Sequence, residues 1–470
     1  MSHPTVLDPA PWNRLLSESA RRHDVPGIVA GVLRLDSETG REQRLVTHAG
    51  LTNLRTRVPN DPATVCQVGS ITKLVTATMI LQLRDERRLE LDTPVRDLLG
   101  EPPSGVLAAT EPSVTVRHLL THTSGIDGDL FTDTGRGDDC LQRYVEGLGE
   151  AEALFAPGAG WSYCNSGFVV LGRIVEVLDG RTWDAALRAR VVEPLGLRTF
   201  LTLPEEVLGH RAALGHVRFP GAPGLSPAPV AMITRSMGPA GLITSSVDDL
   251  LDFGRVFLRD GDTGAGTTLL APATVAEMTD RHWVLDPAAD QMAPEWGLGW
   301  MRDSWDGHPV LWHGGTTIGQ NAWFQILPED GVVLVVFCNG GAAAAAAEEV
   351  YRALATEFAD VLPRALARPA GPPAAATCED HWLGRYADAN TTVTVSRAED
   401  GTLQITVRSE LDVTHPDGLT ATLYPGHRVN SFLCRLEPDA SWGRFAFTEI
   451  DGSPVAYLGI RALPQRPEQG

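Results

Sequence analysis

The segment PRALARPAGPPAAAT, at 363–377, constrains the fold more than any other stretch of the chain. Proline and alanine dominate it and neither helical nor strand periodicity runs through it, so it reads as an interdomain linker. The text on its two sides differs in kind. Beyond it, TTVTVSRA, LQITVRSE, ATLYPG, NSFLCRL, GRFAFTEI and PVAYLGIRAL are short alternating runs between Gly, Asp and Pro turns. That is the pattern of a small antiparallel barrel or sandwich, expected over 378–466. Before it, strands are expected at 28–35 and 43–50, and again in HPVLWHGG, AWFQILP and GVVLVVFCNG, followed by a helix from near Ala342 to near Leu362. Helices mixed with Gly/Pro/Asp-rich loops fill about 85–305. The expectation is an α/β unit over 1–362 with a large helical insertion, then the linker, then an all-β unit. At 470 residues the chain is long enough for more than one core.

Charge narrows the partners. Fifty-nine acidic residues against 39 basic ones leave a net charge of −20, which repels phosphate backbones and anionic lipid surfaces. Nucleic acid and membranes are therefore not expected as partners, and peptides or small molecules are. No apolar run reaches the ~18 residues of a bilayer span. The start MSHPTVLDPAPWNRLLSESARRHDVPG lacks a basic n-region followed by an apolar core, so a cytoplasmic location is expected. Cys66, Cys140, Cys164, Cys338, Cys378 and Cys434 form no CxxC pair and read as reduced, mostly buried thiols.

Every basic residue except Lys73 is arginine. Arginine and lysine serve surface charge alike, but only lysine loses its proton readily on burial and can act as a base. Lys73 lies in Ser70-Ile71-Thr72-Lys73, at the start of a long apolar segment with helical spacing, SITKLVTATMILQLRDERRL. Positions i and i+3 share a helix face, so Lys73 can reach the Ser70 hydroxyl, a weak nucleophile that needs a neighbouring base. From the spacing alone, a serine N-cap with a snorkelling lysine is the commoner arrangement. Two further motifs change that balance. Tyr163-Cys164-Asn165 follows a Pro157-Gly158 turn, and His313-Gly314-Gly315 ends a strand-like run; His118-Leu-Leu-Thr-His122-Thr-Ser-Gly125 lies between Lys73 and Tyr163.

SxxK, YxN and HGG in this order resemble the serine β-lactamase and penicillin-binding-protein superfamily. Within it the chain is similar to the class C β-lactamase-related branch, which includes family VIII esterases, D-amino-acid peptidases and amidases, acyltransferases and penicillin-binding-protein-type thioesterases. The resemblance covers about 10–362. It implies a β-lactamase/transpeptidase-like antiparallel sheet with a large helical subdomain, to which a lipocalin-like C-terminal β-domain is appended, and an enzyme without cofactor or metal. It also implies Ser70 as nucleophile, Lys73 as its base, Tyr163 as the partner that relays the proton to the leaving group, and Asn165 as the residue orienting the lysine and the substrate amide. The backbone N–H groups of Ser70 and Thr316 would form the oxyanion hole. Gly314 and Gly315 would let substrate backbone lie along the strand, which agrees with what a Gly-Gly pair after a strand permits.

His313 stands where many relatives have a lysine. A permanent cation suits the carboxylate of a β-lactam, whereas a histidine neutral near pH 7 suits ester, amide or thioester acyl groups. His118 and His122 are four apart, but no third ligand has metal spacing and packing is the expectation. The acidic stretch Asp127-Gly128-Asp129 through Asp139 fails the EF-hand pattern because Phe131 occupies a ligand position. Gly238-Pro239-Ala240-Gly241 is either a border of the acyl pocket, with Gly238 in contact with substrate, or a plain turn.

A Ser-Lys-Tyr site makes an acyl-enzyme, and the acceptor decides the reaction. One reading is a stand-alone penicillin-binding-protein-type thioesterase that takes a peptidyl substrate, carrier-protein-bound, and macrocyclises it. A second is an esterase or D-amino-acid-specific peptidase with water as acceptor. A third is a binding module that is acylated once and does not turn over. In the first, the β-domain walls the acceptor side, and Arg461 either binds peptide carbonyls or a carboxylate, or faces solvent from an alternating strand.

Overall fold

The strands Gly27–Leu35 and Val332–Cys338 are nearly unbroken apolar text because both of their faces are covered. They pair antiparallel at the middle of a nine-stranded sheet, with Val335 opposite Gly31. Ile28, Ala30, Val32, Leu334 and Val336 face one core, roofed by the helices Ala10–Arg22 and Ala343–Ala359. Val29, Leu33, Val333, Val335 and Phe337 face the other, larger core. This period of two sorts one apolar run onto two cores. The structure is a computed structural model and describes residues 5–467 apart from 37, 101–103, 109–112, 220, 287–292, 366, 411–414, 416 and 437–441. The first four residues of the segment read for an export signal, and Leu366 of the Pro/Ala stretch, lie outside the described residues.

From that central pair the sheet continues through Asn321–Leu327, His308–Thr316 and Met301–Trp305 on one side and Glu42–Gly50 on the other. All of these pairings are antiparallel. The helical part between about 85 and 305 packs on the sheet face away from Ala343–Ala359. It packs around the helix Thr72–Asp85, which is buried almost all round, as expected of a helix without a polar face. Ser70 is not in the α-helix itself. Gly69–Ile71 form a 3₁₀ turn leading into it, set by the positive φ of Gly69 (+53°).

Beyond the Pro/Ala stretch a second nine-stranded sheet is antiparallel throughout. Its two end strands, Leu419–Thr422 and Tyr424–Pro425, are separated by one residue in the chain, so the sheet curls into a nearly closed barrel. Tyr386, Val393, Ile405, Phe445 and Phe447 fill its interior.

A further apolar cluster joins the barrel to the helical part. Trp161, Tyr163 and Trp296 pack with Ala446, Ile450, Tyr457 and Ala462. Backbone contacts reinforce it: Tyr163 N–H donates to Ile460 C=O at 3.1 Å, and Ala462 N–H donates to Ser162 Oγ at 3.2 Å. Gly160 permits the approach, since a Cβ there would lie 2.6 Å from the Ile450 side chain. The barrel therefore seats on the loop that carries Tyr163. Among the described residues no helix is long and apolar enough to cross a membrane, and all six cysteines are free.

Candidate active site

Ser70 stands at the mouth of a cleft of about 360 Å³ whose walls include Tyr163, Asn165, His313, Gly314, Gly315 and Thr316. Lys73, the second residue of the helix and one turn on from Ser70, is fully buried beneath it. Its Nζ lies 3.0 Å from Ser70 Oγ and donates to the Ala240 carbonyl at 2.6 Å. The ammonium form is disfavoured first by burial and then by the Arg461 charge. Asp129 opposes this, yet the pKa falls well below the ordinary lysine value. A neutral amine that donates a hydrogen bond to a carbonyl keeps its lone pair available to the serine hydroxyl.

Tyr163 closes the other side. Lys73 Nζ is 4.9 Å from its ring centre. Its hydroxyl is screened from water and makes no hydrogen bond of good geometry. Burial raises its pKa above the usual phenol value, and the nearby Ser70 hydroxyl opposes this only in part. Burial thus favours the neutral amine at Lys73 and the protonated phenol at Tyr163.

His313 is buried, with Nδ1 2.6 Å from the Gly314 carbonyl. A carbonyl can only accept, so Nδ1 carries the proton and Nε2 is a bare acceptor without a partner. Burial, then the neighbouring Lys73, brings its pKa down to about 3, and His313 is neutral at physiological pH. The two glycines after it differ in function. A Cβ on Gly315 would fall 1.8 Å from the Val68 carbonyl and 3.1 Å from Ser70 N, so its lack of a side chain makes room for the chain's own nucleophile turn. A Cβ on Gly314 would meet nothing closer than 3.7 Å. Thr316 N is 2.8 Å from where a Cβ on Gly69 would be, which sets the Ser70 and Thr316 amides close together at the strand end.

Asn165 opens the helix Asn165–Asp179 and lines the cleft, but its amide donates to Asp129 Oδ1 at 2.6 Å rather than to Lys73. Arg461 is not a solvent-facing strand residue. Its side chain is 19% exposed and lines the cleft, with Nε 2.6 Å from Asp129 Oδ2 and Nη2 2.7 Å from Oδ1. Gly238 requires a correction. It starts the short helix Gly238–Gly241, is buried where a Cβ would stand 3.4 Å from the Trp183 ring, and does not line the cleft. The motif reaches the site through the Ala240 carbonyl instead.

Several residues of the site carry no motif. Asp129 accepts from Asn165 and pairs with Arg461, which lies 332 positions further along the chain. His122 is fully buried, stacks on Tyr163 at 4.2 Å between ring centres and accepts from Cys164 N–H at 2.9 Å. It adopts a positive φ of 59°, which leaves its own carbonyl accepting from Ser162 N–H at 3.0 Å. Phe131, Met301 and Ile460 supply apolar wall. His118 Nδ1 accepts from Thr115 N–H in a helix cap, and among the described residues no three His, Cys, Asp or Glu are grouped to hold a metal.

Comparison with known proteins places the chain in a family. The family model described as Beta-lactamase matches residues 12–358. The chain is 38% identical over 372 residues to Penicillin-binding protein 4 of Amycolatopsis lactamdurans, covering 78% of this chain and 94% of that protein. Among solved structures, SurE, also solved with D-Leu, superposes with a TM-score of 0.77 at 26% identity over 97% of this chain and 98% of SurE. A D-stereospecific amidohydrolase from Streptomyces sp. gives a TM-score of 0.55 at 29% identity over 75% and 99%. The chain belongs to the β-lactamase family, within the serine β-lactamase and penicillin-binding-protein superfamily of serine hydrolases.

Proposed function

We propose that the protein is a serine acyl-transfer enzyme that works through an acyl-Ser70 intermediate, and that its acyl donor is a peptidyl thioester, carrier-bound, released by macrocyclisation. The observation that carries acyl transfer is the buried amine of Lys73 beside Ser70 Oγ. In the first half-reaction Ser70 Oγ attacks the acyl carbonyl carbon while Lys73 Nζ takes the hydroxyl proton. The Ser70 and Thr316 amides stabilise the tetrahedral oxyanion, and the thiol leaves with a proton relayed through Tyr163. In the second, an amine attacks the acyl-serine carbonyl, loses its proton to the same relay, and Ser70 is regenerated. Neutral His313 and the Gly314 edge of the strand then position an uncharged acyl group.

What supports an amine acceptor over water is the barrel. Ile460 and Arg461 wall the cleft, and the backbone of the Tyr163 loop is fixed to them. A cyclase must hold a peptide end near the acyl-serine and keep water out, whereas a hydrolase needs no such wall. The second reading is a hydrolase of D-residue amides, esters or peptides, favoured by the likeness to the D-stereospecific amidohydrolase. Peptidyl thioesters ending in L- or D-residues, with cyclic and linear products weighed by mass spectrometry, separate the two. Linear product alone supports the hydrolase. Release of no more than one equivalent of thiol per enzyme supports the acylable binding module.

A further inference from the structure

The catalytic cleft is not the largest space at this seam. A cavity of about 870 Å³ lies against it, bounded by the sheet, the helix Ala343–Ala359, the Pro/Ala stretch and the barrel. Trp312, Trp323 and Ile460 line both spaces, so one wall runs from the nucleophile into the larger cavity. Its volume is at the upper end of the ~300–1,000 Å³ usual for small-molecule sites, far more than a single amino-acid residue occupies.

The cavity's chemistry suits one kind of occupant. Trp305, Trp312, Trp323 and Trp442 give it flat apolar surface. Trp312 and Gln325 stand directly opposite in the pairing of His308–Thr316 with Asn321–Leu327, a separation of about 5 Å between side-chain origins. Trp312 Nε1 is a donor without a partner, and Gln325 Oε1 is an acceptor without one. Both atoms are buried, so an occupant of the cavity meets the indole faces rather than these two groups. At the barrel side the Arg435 guanidinium stacks on Trp442 at 4.3 Å, a planar donor for a peptide carbonyl.

We infer that this cavity is a subsite for the acyl donor's peptide chain, which enters it from Ser70 over Trp312 and Trp323. The inference rests on the acyl-transfer reading above and adds that the donor is several residues long, its chain lying against Trp312, Trp323 and Trp442. The enzyme then selects for chain length rather than for the terminal residue alone.

The test varies acyl length at a constant leaving group, using N-acetylcysteamine thioesters that share one terminal D-residue and carry either that residue alone or a chain of about six residues. In the wild type kcat/KM rises by about tenfold or more with length. Arg435→Leu and Trp442→Ala, which line only the larger cavity, each remove about fivefold of that rise and leave the single-residue thioester within about twofold. No rise with length, or a rise that both variants keep, overturns the subsite. A gain that follows replacement of N-acetylcysteamine by coenzyme A, at fixed acyl length, assigns the cavity to the thiol arm and also overturns it. Acylation of Ser70 by the single-residue thioester, read by intact mass, reports separately on the acyl-transfer reading.

Discussion

The Arg461 guanidinium lies 4.8 Å from the centre of the Tyr163 ring and donates to the Tyr163 backbone carbonyl. A barrel residue thereby holds a residue of the catalytic cleft by its ring and its backbone, while Asp129 holds the guanidinium at both ends. Removing Arg461 leaves Asp129 largely buried with one remaining side-chain partner, Asn165. Arg461→Ala is expected to slow acylation by about ten- to a hundredfold and to raise the ratio of linear to cyclic product. Arg461→Lys recovers little, because an ammonium cannot make the two-point contact with Asp129. Single-turnover mass spectrometry measures both quantities.

The same variant moves a pH profile in a calculable direction. Lys73 must be neutral to act as base, so kcat/KM rises with pH through its lowered pKa and then levels off below the ordinary value of 10.5. Arg461 is one cause of that lowering and Asp129 works against it. Arg461→Ala withdraws the first and leaves the second, so the acid limb shifts to higher pH. A shift to lower pH, or none, would separate Arg461 electrostatically from Lys73.

Ser70→Ala is expected to cost about 10³-fold or more, and Lys73→Arg nearly as much, because arginine keeps its proton. Tyr163→Phe preserves the stack on His122 and the contact with Arg461 and deletes only an unpartnered hydroxyl. Its kcat should fall by about 10²-fold or more with KM and melting temperature little changed. A fluorophosphonate should label wild type at Ser70 alone.

The paired glycines separate space for the fold from space for substrate. Gly315→Ala drives a methyl into the Val68 carbonyl and must displace the Ser70 turn, so activity should drop by about 10²-fold or more with reduced stability. Gly314→Ala meets no such neighbour and should fold normally. Thermal melting and thioester turnover on the two variants check this.

The sheet was legible in the sequence because burial on two faces writes long apolar runs. The strands expected at 28–35 and 43–50 occur at Gly27–Leu35 and Glu42–Gly50. The helix expected to end near Leu362 stops at Ala359, where Asp360 takes φ +54° as a left-handed cap and Pro363 follows soon after. Ser70, Lys73, Tyr163 and His313 were legible because residue type and order carry chemistry. Asp129 was not, since an ion pair spanning 332 positions leaves no local pattern, and an acidic loop ordinarily reads as solvated. His122 was placed in packing, and its stack on Tyr163 is indeed packing. What the sequence could not show is which ring it packs on. Gly238 drew notice for its type, whereas the atom that matters in that motif is a main-chain oxygen, which no side-chain pattern reveals.

The last prediction concerns how the barrel is seated. Asp127 lies at the seam, with Oδ2 accepting from the barrel's Ala389 N–H at 2.7 Å and Oδ1 buried without a partner. Burial first, then the facing Asp388, pushes its pKa up to about 6. The Ala389 N–H opposes this, and Asp129 and Glu152 add to it. For an acid whose folded pKa is raised, the folded state holds a proton that the unfolded chain has released. The stability it contributes is present below the ordinary value of 3.8 and is lost as pH rises through about 6. At pH 7 the ionised carboxylate therefore weakens the seam by up to about 3 kcal/mol. Asp127→Asn removes the charge, keeps an oxygen for Ala389 and can turn its amide toward Asp388. It should raise the melting temperature at pH 7–8 by a few degrees, about 2–4 °C for each kcal/mol recovered, and should change it little at pH 4. Equal effects at both pH values would mean that the gain comes from shape rather than from charge, and that Asp127 is already protonated, or already compensated, when the barrel is docked.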